Sequence, residues 1–413
     1  MIPVALDEVA ELAEGELTRA PSADQITGVQ VDSRRIVPGD LFVAVGRGVD
    51  FREDALARGA AATLLPEEPF AAFAALGSVV RERSAARVVG ITGSAGKTST
   101  KDLLAALCAP AARTIAAEAS YNNEIGVPLT LCRLQPDTEV CVLELAMRGL
   151  GQIAELCRVA RPQIGVITNV GPAHLELVGS LEGVLRAKGE LVAALPSGGT
   201  AIVPLELPVE RQDIEVVRLH EPDVRIEDGR ALVDGVSFNF VSRHQAVNAS
   251  AALAALQALG LPRPERVDVD FSRWRGEEVP LPGGGLLIND AYNANPISMR
   301  AALAYLAERS GERRRVAILG EMAELGRDAP AFHREIGEAV SEAGVYALVA
   351  VGEPARGYLE GAADTPVTRW AADTDAALAA VEEILEPGDC VLVKASRAVG
   401  LEAVAEALAA VSA

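Results

Sequence analysis

From Val88 to Cys108 the chain passes from an apolar strand through Gly93-Ser94-Ala95-Gly96-Lys97-Thr98 into a helix, and few architectures accept that passage. A strand that feeds a helix through a glycine turn belongs to a sheet whose neighbours are reached by crossover, which makes the sheet parallel. The backbone N–H groups of such a turn and the helix N-terminus converge on one point and favour an anion, here a triphosphate. Lys97 is placed to reach the outer phosphates and Thr98 a Mg²⁺ ion, with Ser99 following. The longer phosphate-loop pattern would put glycine at position 91, where this chain has Ile91, so the loop is the shorter variant.

The same alternation recurs downstream. Strands are expected at 140–145, 164–169 and 200–203, and after a Pro-, Gly- and charge-rich stretch at 261–285 again at 286–289, 316–319, 347–351 and 390–394. Helical stretches at 298–309 and 331–343 separate the later strands. Upstream, a helix at 6–12 and strands at 27–31 and 41–45 form a smaller unit that exits near 81–87. With 413 residues, about three domains are expected. The reading is an α/β chain of three domains: a small N-terminal α/β substrate domain (1–84), a central ATPase-like parallel-sheet domain (85–268) and a C-terminal Rossmann-like domain (269–413).

A formal net charge of −20 excludes nucleic acid and anionic lipid as main partners, since both require a broad basic surface. Five scattered cysteines without a Cys-x-x-Cys pair fit a reduced cytoplasm. The acidic first 20 residues do not read as a secretory signal, and no run of 18 apolar residues offers a membrane span. Only four of the 38 basic residues are lysine: Lys97, Lys101, Lys188 and Lys394. A chain that otherwise uses Arg keeps Lys where a compact ammonium, or an amine able to lose its proton, is required.

Three further elements gather chemistry. Glu144 ends an apolar strand, where open sheets bind ligands, and can hold Mg²⁺ beside Thr98. His174 follows the next strand at the same edge, one strand from Glu144. Lys188 sits on a helix with no evident acidic partner; as a free amine it can add CO₂ and become a carbamate, a metal-binding carboxylate. In the last third, Asn289-Asp290-Ala291-Tyr292-Asn293-Ala294-Asn295-Pro296, Gly320-Glu321-Met322-Ala323-Glu324 and Lys394-Ala395-Ser396-Arg397 each follow a strand, so three polar loops are expected at one sheet edge facing the central domain.

Together with Val31-Asp32-Ser33-Arg34, Asn122-Asn123-Glu124-Ile125-Gly126 and His244 to Asn248, these residues resemble the Mur ligase family, most closely its MurF type, over nearly the whole length. The string Tyr292-Asn293-Ala294-Asn295-Pro296 separates that type from its sister ligases. The resemblance implies an ATP-dependent amide-bond ligase that joins D-alanyl-D-alanine to a UDP-MurNAc-tripeptide through an acyl phosphate, in peptidoglycan precursor synthesis. It implies ATP contacts from Gly93 to Ser99, Asn123, Asn248, Asp290, Tyr292 and Asn293. Two Mg²⁺ ions would be held by Thr98, Glu144, His174 and a carbamylated Lys188, with Lys97, Glu144, His174 and Lys188 carrying catalysis. Ser33, Arg34, Lys394 and Arg397 would meet substrate. The expected partners are small molecules alone, for a monomeric cytoplasmic chain that neither binds nucleic acid nor enters a membrane. Departures from the family pattern include Gly48-Val49-Asp50-Phe51 in the first domain, which lacks the family's Gly-His step, and Ala146, Val203 to Glu206, Gln245, Glu321 and Ala395 beyond it. A related ligase for another carboxylate and amine, or an ATP-binding partner subunit without catalysis, therefore stays open.

Overall fold

The computed structural model describes residues 1–410. Its central sheet is six-stranded and wholly parallel, in the spatial order Glu215–Arg218, Thr200–Val203, Ile164–Ile167, Arg87–Thr92, Val140–Glu144, Thr114–Ala116. Val, Ile and Leu occupy both faces because helices cover both. Alternate residues of the strands part into two cores: Val88, Cys141 and Leu143 on one side, Val89, Val140 and Val142 on the other. The second side packs on the phosphate-loop helix Lys97–Cys108 and on Arg243–Ala258. The first is covered by Gly126–Leu131, Gln152–Ala160, Leu181–Ala194 and, from the N-terminal part, Pro69–Arg83.

That last helix ties the first domain to the second. Gly77 lies so close to the neighbouring helix that a Cβ there would stand 2.9 Å from Pro128 Cα. Arg81 reaches across to cap the end of Gln152–Ala160 through Ala160 O at 2.9 Å. One hydrophobic cluster runs from Val4 and Leu41 through Phe73 and Leu76 to Leu143 and Leu191. Fully burying a side chain such as Leu76 contributes about 1.5–3 kcal/mol, so this seam is a substantial part of the first domain's stability. The first domain's own sheet is four-stranded, ordered Gly15–Arg19, Ala62–Pro66, Asp40–Val43, Gly28–Gln30.

The C-terminal sheet runs Glu277–Leu281, Gly285–Asn289, Cys390–Lys394, Arg315–Gly320, Ala347–Val351, Val367–Ala371. All neighbours are parallel except the first pair, a hairpin whose first strand lies in the stretch read as a boundary. The sequence reading also missed a small sheet of Val224–Glu227, Arg230–Val233, Val236–Phe238 and Arg266–Val267, whose strands are too short for a clear alternation. Among the described residues no helix is long and apolar enough to cross a membrane. All five cysteines are buried free thiols.

Candidate active site

The parallel order of the central sheet reverses at Arg87–Thr92: the next strands in sequence lie to either side of it. Such a switch point opens a crevice at the strand ends, and the glycine loop occupies it. Glu144 and His174 therefore flank the loop from opposite sides, two strands apart, and not from adjacent strands as the sequence suggested.

The loop is fixed by its neighbour on the His174 side. Ala95 N donates to Asn169 Oδ1 at 2.9 Å, Thr168 Oγ1 to Ala95 O at 2.6 Å, and Ser94 Oγ to Gly171 O at 2.9 Å. Gly96 has a φ of +78°, which glycine adopts freely, and a Cβ there would lie 2.2 Å from Asn248 Oδ1. Asn248 thus abuts the loop, and its Nδ2 donates to Gln245 Oε1 at 3.1 Å. Ser99 takes the next step, receiving Gln245 Nε2 at 3.4 Å.

Lys97 Nζ donates to Gly93 O at 2.9 Å. Burial pushes its ammonium below the usual lysine range, Glu144 pulls the other way, and Arg275 adds to the depression. Glu144 is 1% exposed. Its two oxygens accept from Thr98 Oγ1 at 2.6 Å and Asn122 Nδ2 at 2.8 Å. Among the described residues it makes no ion pair, and Lys97 is the cation near enough to feel its charge. A buried charge is costly unless paired, and the donor set of carboxylate and hydroxyl oxygens suits Mg²⁺.

Opposite, His174 adopts a φ of +56° and its Nδ1–H donates to Glu324 of the C-terminal domain, leaving Nε2 as the free acceptor. Burial lowers its pKa, Lys97 acts the same way, and Glu324 opposes both. Lys188 is 2% exposed and has no hydrogen-bond or ion-pair partner among the described residues. Burial, and then Lys97, push its pKa well below the usual lysine range, which favours the free amine.

The three polar loops of the C-terminal domain leave adjacent parallel strands at one edge. Asn295 Nδ2 donates to Ser94 O at 2.9 Å, fastening that edge onto the phosphate loop. Lys394, 2% exposed, is held inside its own domain by Asp290 Oδ2 at 2.6 Å and Asn293 O at 2.9 Å. Arg397 lies over the Trp274 ring at 4.4 Å and pairs with Glu402. Tyr292 lies under the Arg275 guanidinium at 4.1 Å. His244 is pushed down to about 4 by burial, with Asp290 opposing and Lys394 assisting. In the first domain Ser33 is buried, while Arg34 folds back on Asp32, Nη2 to Oδ2 at 2.7 Å.

Sequence reasoning passed over three residues that the fold brings in. Asn122, not its neighbour, touches Glu144; Asn123 caps the helix Gly126–Leu131 by accepting Gly126 N at 3.0 Å. Arg275, with a buried Nε lacking a partner, lies near enough for its charge to lower the pKa of Lys97. Glu324 orients His174. In a chain so rich in Arg and Glu, neither of the last two carries a compositional signal.

Comparison with known proteins identifies the family. The Mur ligase middle-domain profile matches residues 91–256, and that of the Mur ligase, glutamate ligase domain matches 274–397. The UDP-N-acetylmuramoyl-tripeptide--D-alanyl-D-alanine ligase of Synechocystis sp. is 35% identical over 93% of this chain and 92% of its own. MurF from Acinetobacter baumannii superposes with a TM-score of 0.84 at 26% identity, covering 99% of both chains. MurF ligase from Thermotoga maritima, solved in complex with ADP, gives 0.76 at 26% identity over 93% of this chain and 97% of that one. The chain belongs to the Mur ligase family, on its MurF branch.

Proposed function

We propose that this chain is the ATP-dependent ligase that joins D-alanyl-D-alanine to a UDP-MurNAc-tripeptide in the cytoplasm, for peptidoglycan synthesis. The observation that carries the reading is the meeting of Ser94 and Asn295: the phosphate loop and the Tyr292–Pro296 loop form one crevice between two domains. The full-length relatives bearing that name support the substrate pair.

The chemistry follows from charge. The terminal carboxylate of the peptide and the γ-phosphate are both anionic, and in-line attack requires that their repulsion be neutralised and their approach fixed. The glycine-loop amides and the helix N-terminus hold the triphosphate, and Lys97, released from Gly93 O, swings its ammonium to the outer phosphates. Arg275 adds a second cation from the linker. The carboxylate oxygen attacks the γ-phosphorus, ADP departs, and an acyl phosphate results. The amine of D-alanyl-D-alanine then attacks the acyl carbon, expelling phosphate and losing a proton.

Mg²⁺ would be held by Thr98 and Glu144 at one site and by His174 and a carbamylated Lys188 at another, where it supplies positive charge to the phosphoryl oxygens and the acceptor carboxylate. The lowered pKa and lack of a partner at Lys188 support carbamylation, because only the free base adds CO₂. Residues Ser33 and Arg34 are proposed to meet the UDP-sugar end, and Lys394 acts through Asp290, beside the nucleotide. We further propose that the chain works as a monomer, since both faces of the crevice belong to one polypeptide.

The test is phosphate release with UDP-MurNAc-tripeptide and D-alanyl-D-alanine, each alone and together. Turnover is expected only with both; release with some other acid and amine, and none with this pair, would transfer the reading to a different carboxylate.

A further inference from the structure

Three of the four lysines are accounted for by the reaction, and the fourth is not. Lys101 lies one turn beyond Lys97 on the phosphate-loop helix and is 2% exposed. Its ammonium donates to Ala117 O at 2.8 Å and Ala119 O at 3.0 Å and forms an ion pair with Asp102 Oδ1 at 2.8 Å. Three acceptors converging on one nitrogen suit an ammonium and not a planar guanidinium, which explains a lysine here in a chain that prefers Arg.

The segment it holds, 117–123, is where the domains meet. Glu118 accepts Arg35 Nη2 of the first domain at 2.9 Å. Ser120 Oγ accepts Arg275 Nη2 at 3.3 Å. Asn122 donates to Glu144 at 2.8 Å. Ala119 sits at a φ of +45°, a conformation a non-glycine residue keeps only when its surroundings enforce it. The partner of Lys101 reaches the other way. Asp102 Oδ2 accepts Ser272 N at 2.9 Å, gripping the linker three residues before Arg275. That linker turns at Trp274 and Gly276, with φ of +61° and +75°.

We propose that Lys101 and Asp102 are positioning residues: a buried clasp on the phosphate-loop helix that fixes segment 117–123 and the interdomain linker in one register, presenting Asn122 to Glu144 and Arg275 to the phosphates. The clasp touches no substrate and acts through those two residues. It rests on the ligase reading for its kinetic test but not for its physical one.

The kinetic test is a double-variant cycle in phosphate release. Asp102→Ala and Lys101→Met are expected to lower kcat by about tenfold or more, because small displacements of positioning groups are costly, while KM for D-alanyl-D-alanine stays within about twofold. In an Arg275→Ala background Asp102→Ala is expected to cost clearly less than in the parent, since the part of its effect carried through the linker is already lost. Losses that simply multiply overturn the proposal. Asp102→Asn, which keeps an acceptor for Ser272 N, should fall between and guards against a variant that fails to fold. The physical arm is amide hydrogen exchange on each variant. Faster exchange confined to 117–123 and 271–276 supports the clasp; an equal rise in the core strand Ala347–Val351 shows general destabilisation and overturns it. If the unmodified chain shows no turnover, the ligase reading fails while the exchange arm still decides the clasp.

Discussion

Replacing Lys188 by Met should stabilise the protein while destroying its activity. Lys188 is 2% exposed, lies on a helix whose neighbouring turns bury Val184, Ala187 and Leu191, and has no polar partner among the described residues. A buried polar group without a hydrogen bond costs about 1–3 kcal/mol by mutational measures, and Met fills nearly the same volume without that cost. For a cooperative unit the size of the central domain each kcal/mol shifts Tm by about 2–4 °C, so Lys188→Met should melt about 2–12 °C higher. The direction with pH follows from the depressed amine. Between the folded and the unfolded pKa the unfolded chain carries a proton that the folded one lacks, so the parent protein loses stability as pH falls through that window. Met lacks this slope. The advantage of the variant should therefore widen as pH is lowered from about 10 and level off once the folded amine protonates. Melting should be followed by calorimetry in CO₂-depleted buffer with a chelator, so that the free amine is the species compared, and turnover by phosphate release with and without bicarbonate. Turnover should fall by at least about 100-fold, and bicarbonate should raise the parent and not the variant. A lower Tm for Met, or activity close to the parent, would refute the account of Lys188 as a partnerless amine kept for chemistry.

Lys97→Arg should lower turnover by about 100-fold or more, because a planar fork cannot replace a compact ammonium donating beside Gly93 O; activity within a few-fold of the parent would contradict the tight-loop reading. Gly96→Ala should weaken ADP binding, measured by calorimetry, since Ala at a φ of +78° costs about 1–2 kcal/mol and its Cβ would meet Asn248 Oδ1; unchanged affinity would show that the loop relaxes freely. Glu324→Ala should reduce affinity for Mn²⁺, read by paramagnetic relaxation, by about 10–100-fold, with Glu324→Gln milder; no change would mean that orienting His174 is immaterial to metal.

Much of the two larger sheets was legible because their strands are apolar on both faces and bounded by turn residues: Thr200–Val203 in the central sheet, and Ala347–Val351 and Cys390–Lys394 in the C-terminal one, begin and end where the pattern says. Lysine scarcity, a property of the whole chain, pointed to residues that the fold buries: Lys101, Lys188 and Lys394. What the sequence hid is lateral. Nothing local says that the phosphate strand lies between those leading to Glu144 and His174, because strand order is set by crossovers spanning tens of residues. Nor could a run of two asparagines say which one turns inward. The peptide plane decides that Asn122 meets the carboxylate while Asn123 caps a helix. Arg275 and Glu324 act across domain boundaries, and contacts of that kind leave no periodic trace.

The continuous core beneath Pro69–Arg83 bears on how this molecule can be taken apart. Because Phe73 and Leu76 share one hydrophobic cluster with Leu143 and Leu191, while the C-terminal sheet is enclosed by clusters largely of its own, heat should resolve two melting units rather than three. For anyone grafting a new acceptor module from a sister enzyme, a splice after residue 84 would cut through shared interior. The exchangeable piece must carry matching surfaces at Gly77 and Arg81, or the recipient Pro128 and Ala160 must be redrawn with it.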